Sequence, residues 1–360
     1  MDFTLDEAEQ VVADLAGEIL TDKVSPEALS AIESGPEWFA ADAWLALSGA
    51  GLVGIALGED VGGGGLDLVA YGQVLRAQGA SVAPLPLLPS GLAAMAIDRF
   101  GSPEQRAALL PGVARGETVL SLGIQEPNDD RTRHPSARAS GGVITGQKSV
   151  VEFAERASRL VVTATSDRGP GLFLVDPAGP GVSMTAGLST RLEPVHLVEL
   201  DQAPAERLTE DDDAVAWLVD RVVASLCATQ LGVTEAALRM TAEYTSTREQ
   251  FGRPVATFQA VTQRLADQYI NVQAIRLTAS TALWELARGL DAADDLRIAK
   301  WWASERATEV AHASQHCHGG MGVSVDYPLH RYTLWNKHLT TSLGAGTQQL
   351  RELGAALASA

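Results

Sequence analysis

Residues 247–267 read TREQFGRPVATFQAVTQRLAD. Apolar residues at three-to-four spacing lead into this stretch (Leu231, Ala237, Met240, Tyr244) and out of it (Val261, Leu265, Tyr269, Ile270), the repeat of helices with one buried face. The stretch is therefore a corner between two helices. Gly252 frees the backbone there, and Pro254 with the residue before it disfavours continued helix. Arg248 and Phe251 are thus placed at a helix end, where an arginine serves either as a solvated surface residue or as a clamp for an anion.

Working outward from the corner, helical periodicity fills the C-terminal part in four long segments, about 214–247, 256–289, 293–317 and 330–357, which predicts a four-helix bundle. An acidic linker, Glu210 to Asp213, precedes it. Upstream, from Thr118 to about Leu208, the texture is one of short β-rich runs (VLSLGI, GVITGQ, RLVVTAT, GLFLVD, HLVEL) punctuated by Gly, Pro, Asp and Asn. The first third returns to helical spacing, with Leu5, Ala8, Val12, Leu15 and Ile19 and then Trp38, Trp44 and Leu45. The expected class is α+β, mainly α, with a helical domain over 1–117, a middle β domain over 118–209 and a helical bundle over 210–360.

Composition excludes several partners. Among 360 residues, 45 acidic against 27 basic side chains leave a net charge of -18, which repels phosphate backbones and anionic lipid. No nucleic acid and no membrane is the expectation. The start MDFTLDEAEQ lacks a basic then apolar leader, and the apolar stretches are interrupted by Pro84, Pro86 and Pro89 or by Asp220 and Arg221. With Cys227 and Cys317 as the two cysteines, a disulfide framework is not expected and a reducing, cytoplasmic setting is.

The order of helices, small β domain and bundle resembles the acyl-CoA dehydrogenase family over essentially the whole chain. Three stretches carry the resemblance. Arg248-Glu249-Gln250-Phe251-Gly252 with Phe258-Gln259 looks like the family's Arg-x-x-Phe-Gly and following Gln. His318-Gly319-Gly320-Met321-Gly322 with Asp326-Tyr327-Pro328 looks like its Gly-Gly-x-Gly segment, and Gln125-Glu126-Pro127 stands where it usually has Thr-Glu-Pro. The resemblance implies the acyl-CoA dehydrogenase fold, with a middle domain like a β-barrel, and FAD as cofactor. It further implies that Arg248, Phe251, Phe258, Gln259, His316, Gly319 and Gly320 hold the adenine half of an FAD bound mainly by the neighbouring subunit. His316 stands where the family has a Gln, with Gln315 adjacent. The residue chemistry agrees: a guanidinium fork fits a pyrophosphate, Phe251 can cover the adenosine side, and Gln259 can donate and accept at a polar edge. Gly319 and Gly320 would let backbone amides approach where a Cβ would collide.

The resemblance also shows departures. A family member removes an α-proton from an acyl-CoA thioester with a carboxylate while the β-hydride goes to the flavin, so one positioned Glu or Asp is indispensable. The family's Glu before Gly-Thr is matched here by Ala345, in Ser342-Leu343-Gly344-Ala345-Gly346-Thr347. The alternative position used by a minority of members, ten residues before a glycine matching Gly232, is Val222. Asp220 is two residues away, which turns a helical side chain by about 200°, so it reads as a capping or surface acid. Where the family has Trp-Ile-Thr-Asn as an aromatic wall and hydroxyl for the isoalloxazine, this chain has Val150-Val151-Glu152-Phe153. Asn128-Asp129-Asp130 replaces a small, hydroxyl-bearing run, and two carboxylates beside a flavin are costly unless paired.

A chain that keeps the donated clamp but lacks base and ring contacts looks like one half of an obligate hetero-oligomer. It resembles the non-catalytic subunit of heterotetrameric actinobacterial steroid side-chain acyl-CoA dehydrogenases, in its MDFT start, MTAEYTSTREQFGRP and HRYTLWNKHL. The resemblance implies a catalytic partner subunit and a bulky acyl-CoA substrate. The alternative within the family is a self-sufficient homotetramer with an unrecognised base. An alternative of another class is a metal-binding protein using His312, His316, Cys317 and His318, with Glu309 as a further ligand, since His312 and His316 share a helix face. Gly62-Gly63-Gly64-Gly65 is a helix connection, because no Lys-Ser/Thr follows and Glu59 and Asp60 oppose phosphate. The seven tryptophans sit at helical spacing as core or interface residues.

Overall fold

Two helices in the first third begin at reciprocal caps. The computed structural model describes residues 3–359, so Met1 and Asp2 of the MDFT start lie outside the described residues. Helix α1 (Glu7–Lys23) is started by an Asp6/Glu9 capping box and α6 (Pro103–Ala114) by a Ser102/Gln105 box. Between them run α2 (Pro26–Ser34), α3 (Ala41–Gly49), α4 (Leu68–Ser81) and α5 (Leu87–Phe100). The buried stripe of α1 is Val12, Ala16 and Leu20, so Ala8 faces solvent, unlike the expected phase. Trp44 is buried as expected, but its neighbour Leu45 is exposed.

The middle segment folds as seven strands: β1 (Leu120–Gly123), β2 (Arg138–Ser140), β3 (Val143–Glu152), β4 (Arg159–Ser166), β5 (Gly169–Val175), β6 (Val182–Leu188) and β7 (Pro194–Arg207). Strand β4 pairs with β2 and β5, β2 with β3, β3 with β7, and β7 with β5, so these five close on themselves as a barrel. Strand β1 adds in parallel to β4 and β6 in antiparallel to β7. Closure leaves few free edges, and the interior is filled by Ile144, Val151, Leu160, Val162 and Val198.

The C-terminal part comprises α7 (Ala214–Thr247), a two-stranded ribbon of β8 (Glu249–Gln250) and β9 (Arg253–Pro254), then α8 (Gln259–Ala287), α9 (Ala293–His318), α10 (Leu329–Thr341) and α11 (Gly346–Ser359). The last predicted helix is thus two helices, because Leu343 (φ 51°) and Gly344 (φ 99°) turn the backbone left-handed between them. A second correction concerns α8. Tyr269 and Ile270, expected on its buried face, are 60% and 64% exposed.

The order of elements along the chain is helices, strands, helices, while contacts in space gather into two units. One comprises Met1–Ser30, Gly72–Ala83 and Val223–Ala360, the other Ala31–Tyr71 and Pro84–Val222. In the first unit α4 and α7 touch backbone to backbone. A Cβ on Gly79 would lie 2.0 Å from the Thr229 carbonyl oxygen, and one on Gly232 would lie 1.9 Å from that of Arg76. Among the described residues, α7 is the one helix long and apolar enough to cross a membrane, and most of that apolar window is buried inside the protein.

Candidate functional site

The clamp is built at one end of the bundle. The Arg248 N–H closes the last turn of α7 on the Tyr244 carbonyl (2.8 Å), and its own carbonyl accepts from Val255 (2.8 Å) across the ribbon. Gln250 pairs with Arg253, so Phe251 and Gly252 form a two-residue turn with φ of 54° and 77°, both in the left-handed region of a type I′ hairpin. Gly252 meets that requirement freely, whereas Phe251 is strained and 94% exposed. The Phe251 ring stands edge-on to Phe258 at 6.2 Å, and the Arg253 guanidinium lies 4.2 Å over the Phe258 ring. Gln259 opens α8. Arg248, Phe251 and Gln259 all face solvent.

The glycine segment reaches the same end through an aromatic stack. His318, buried at the end of α9, lies 4.3 Å from the Tyr244 ring at 21°, and Tyr244 is one turn before Arg248. Burial lowers the His318 pKa. A neutral ring satisfies both neighbours: Nδ1–H donates to the Ser314 carbonyl (2.8 Å) and Nε2 accepts from the Tyr327 hydroxyl (3.1 Å). Gly319 follows with φ 60°, and neither Gly319 nor Gly320 has an atom within 4 Å of a built Cβ. Their outer side is open to an approaching ligand. Gly322 is glycine for a different reason, because its Cβ would meet the Gln315 carbonyl oxygen at 2.6 Å. His316 is exposed beside this segment.

The metal alternative does not survive this geometry. Among the described residues no three His, Cys, Asp or Glu side chains gather so as to hold a metal ion. His318 is occupied as described, and Glu309 is paired with Arg306 and accepts from Asn271 (3.2 Å).

The ring-side candidates lie in the second unit. Glu126 accepts from the fully buried Lys148 ammonium (2.7 Å) and from the amides of Ser136 (2.6 Å) and Ala137 (2.9 Å). Burial raises the Glu126 pKa, but Lys148 and these amides outweigh it and hold the pKa below its ordinary value. Asp129 is not the unpaired charge feared for it. It binds Arg131 (2.7 Å) and the Ser136 hydroxyl (2.9 Å), and the Arg131 guanidinium pulls its pKa down.

Val150 and Phe153 are both left-handed, with φ of 54° and 51°, and between them Glu152 binds Arg191 (2.8 Å). Arg191 also meets Glu193 (3.1 Å), and both of these side chains are buried in the turn between β6 and β7. The half-buried Glu152 and the buried Glu193 share one buried guanidinium. Burial pushes the Glu193 pKa up to about 8 against the pull of Arg191, and Glu152 adds to the rise, so Glu193 keeps a proton at neutral pH.

Neither base position carries an acid. Ala345 sits in the break before α11, and Val222 is buried. The Glu305 carboxylate packs beside that break: a Cβ on Gly346 would lie 2.3 Å from its Oε1. Asp220 is ion-paired with Arg133, rather than free at the surface. Sequence patterns missed Arg191, Glu193, Lys148 and Tyr244 as site neighbours. Only Tyr244, a helical turn before Arg248, carried a local signal.

A model of the acyl-CoA dehydrogenase N-terminal domain matches residues 6–117, and one of the acyl-CoA dehydrogenase C-terminal domain matches residues 219–358. The chain belongs to the acyl-CoA dehydrogenase family. It is 38% identical to acyl-CoA dehydrogenase FadE27 of Mycobacterium tuberculosis (strain ATCC 25618 / H37Rv), over 99% of both chains. Its fold superposes with a TM-score of 0.95 on a chain of the ChsE4-ChsE5 complex from Mycobacterium tuberculosis, at 38% identity over 100% of each. A Tcur3481-Tcur3483 steroid acyl-CoA dehydrogenase variant matches with a TM-score of 0.94 and 41% identity over 99% of each chain. The family is one of FAD-dependent oxidoreductases, and FAD is the cofactor of this acyl-CoA dehydrogenase.

The two parts of the site fit that cofactor differently. The open glycine backbone, the exposed Arg248 fork and the solvent-facing Phe251 suit its adenosine and pyrophosphate. The Val150–Phe153 run has Val150 where the family has its aromatic wall and offers no hydroxyl, and its one polar side chain, Glu152, is held by Arg191.

Proposed function

We propose that the chain is the FAD-sharing, catalytically silent subunit of a heteromeric acyl-CoA dehydrogenase that forms an α,β-unsaturated acyl-CoA with a bulky steroid-type acyl group. The observation that carries this reading is the Arg191–Glu152–Glu193 cluster, which commits the ring-wall segment to an internal ion network. It is supported by Ala345 and Val222 at the base positions and by an intact, outward-facing clamp. The bound flavin supplies the hydride acceptor. This chain's residues hold the adenine half of FAD: Arg248 the pyrophosphate, Phe251 and Phe258 the adenosine face, Gln259 and His316 its polar edge, and Gly319 and Gly320 the backbone approach. The partner chain brings the carboxylate and the ring pocket. The two-name descriptions of the ChsE4-ChsE5 and Tcur3481-Tcur3483 structures, the second a steroid enzyme, favour a heterotetramer and this substrate class. On this reading the chain works in the cytoplasm, with domains at 1–117, 118–209 and 210–360.

Produced alone, the chain should be colourless. Co-expressed with a catalytic partner chain, it should give a yellow complex with about half the flavin per chain of a homotetramer in which every site fills. Flavin absorbance against protein concentration, with native mass, measures both. A yellow homotetramer of this chain, with flavin on every subunit and turnover of an acyl-CoA, overturns the reading.

A further inference from the structure

The ribbon after α7 carries a second arginine that the family pattern does not call for. Side chains alternate along a strand, and cross-strand partners share a face. Gln250 lies opposite Arg253, and the hydrogen bond from Val255 to Arg248 continues the ladder by one pair. Arg248, Gln250 and Arg253 therefore share one face of the ribbon, while Glu249 and Pro254 take the other.

Both arginines are exposed, and neither forms an ion pair with a carboxylate among the described residues, in a chain with 45 acidic side chains. Arg253 is instead placed by a ring, its guanidinium carbon 4.2 Å from the Phe258 centroid. A guanidinium laid over a ring gives up its face and keeps the donors on its edge. The two-residue turn at Phe251 and Gly252 fixes the register, so the two forks are diagonal neighbours, roughly 7–8 Å apart at the backbone. Long side chains from that spacing converge on two adjacent phosphates and are wasted on one.

We propose that Arg253 is the second cation of the clamp and that, with Arg248, it selects a nucleoside diphosphate moiety over a monophosphate. This rests on the reading that the corner holds the adenine half of FAD. Arg248 anchors one phosphate from the helix end, and Arg253 meets the other from above Phe258. Because both are solvent-exposed, their contribution weakens with added salt.

The test titrates the full chain with ADP, AMP and adenosine, by calorimetry at low and high salt. Wild type should prefer ADP. Arg253→Met, which keeps an apolar stem over Phe258, should weaken ADP binding roughly tenfold while AMP and adenosine stay within about twofold, and Arg253→Lys should recover part of the loss. If Arg248→Ala weakens ADP and Arg253→Met does not, Arg253 has no such role and the clamp stands on one fork. If neither variant changes ADP binding, the clamp reading falls together with this one. If Arg253→Met weakens all three ligands equally, the residue merely orients Phe258 and the selection of a diphosphate is refuted.

Discussion

The hairpin end of the bundle and the loop side of the barrel are both cofactor-binding regions in family terms, and in this chain they are opposites. At the hairpin, Arg248 and Arg253 face water without carboxylate partners among the described residues, and a strained phenylalanine projects from the turn. At the barrel, Arg191 is buried between Glu152 and Glu193, and Glu126 between Lys148 and two amides. The first region leaves its donors to solvent, whereas the second satisfies its charged groups from within the chain. Backbone strain does not separate the two cases. Of eight non-glycine residues with left-handed φ among the described residues, Phe251 marks the open region, but Val150 and Phe153 mark the closed one.

The largest expected effect breaks the closed region. Arg191→Met leaves the half-buried Glu152 carboxylate and the buried Glu193 without their shared guanidinium, and removing one partner of a buried ionic group costs about 3–5 kcal/mol. Denaturant unfolding of the purified complex should show that loss. A change under about 1 kcal/mol would mean the cluster is solvated and not a closed network.

An intermediate effect reads the charge state of the same cluster. Glu193 is pushed up to about 8 from an ordinary value of 4.5, so the folded chain holds a proton that the unfolded chain releases between those values. Its contribution to stability is complete below the lower value and is lost as pH rises through the upper one. Stability should therefore fall between pH 4.5 and about 8, and Glu193→Gln should flatten that slope. An unchanged slope in the variant would place the proton elsewhere.

The smallest effect sharpens the contrast from the open side. Phe251→Asn relieves a left-handed phenylalanine and suits a type I′ turn, so the chain should gain roughly 0.5–1 kcal/mol. The complex should at the same time release FAD faster during dialysis. A variant no more stable than wild type, with its flavin retained, would remove Phe251 from the site.

Much of this was legible in the sequence where the signal is local. Alternation and helical spacing located β1, β3, β4, β5 and β7 and the long helices, and Arg248-x-x-Phe251-Gly252 marked the corner. Strands β2 and β6 were missed because one is three residues long and the other is mostly exposed, which leaves little alternation to read. The break at 342–345 depends on a left-handed Leu343, and leucine announces no such conformation. Periodicity in α8 showed an apolar face at Tyr269 and Ile270 but could not say whether the same chain covers it. The Arg191 cluster was illegible because its members meet only when the turn between β6 and β7 folds back on the end of β3.

The close backbone packing of α4 on α7, at Gly79 and Gly232, has a consequence for the order of synthesis. The unit containing it draws on three stretches of chain, and the last begins at Val223. As the chain leaves the ribosome, α1 and the inner half of α4 must wait through some 140 residues for the helix that receives them. The second unit, complete by Val222, is free to form first. Docking across so long a separation in sequence is slow, and the waiting helices hold apolar surface exposed meanwhile. Yield from rapid expression should therefore depend on chaperone supply more than on the stability of the finished fold.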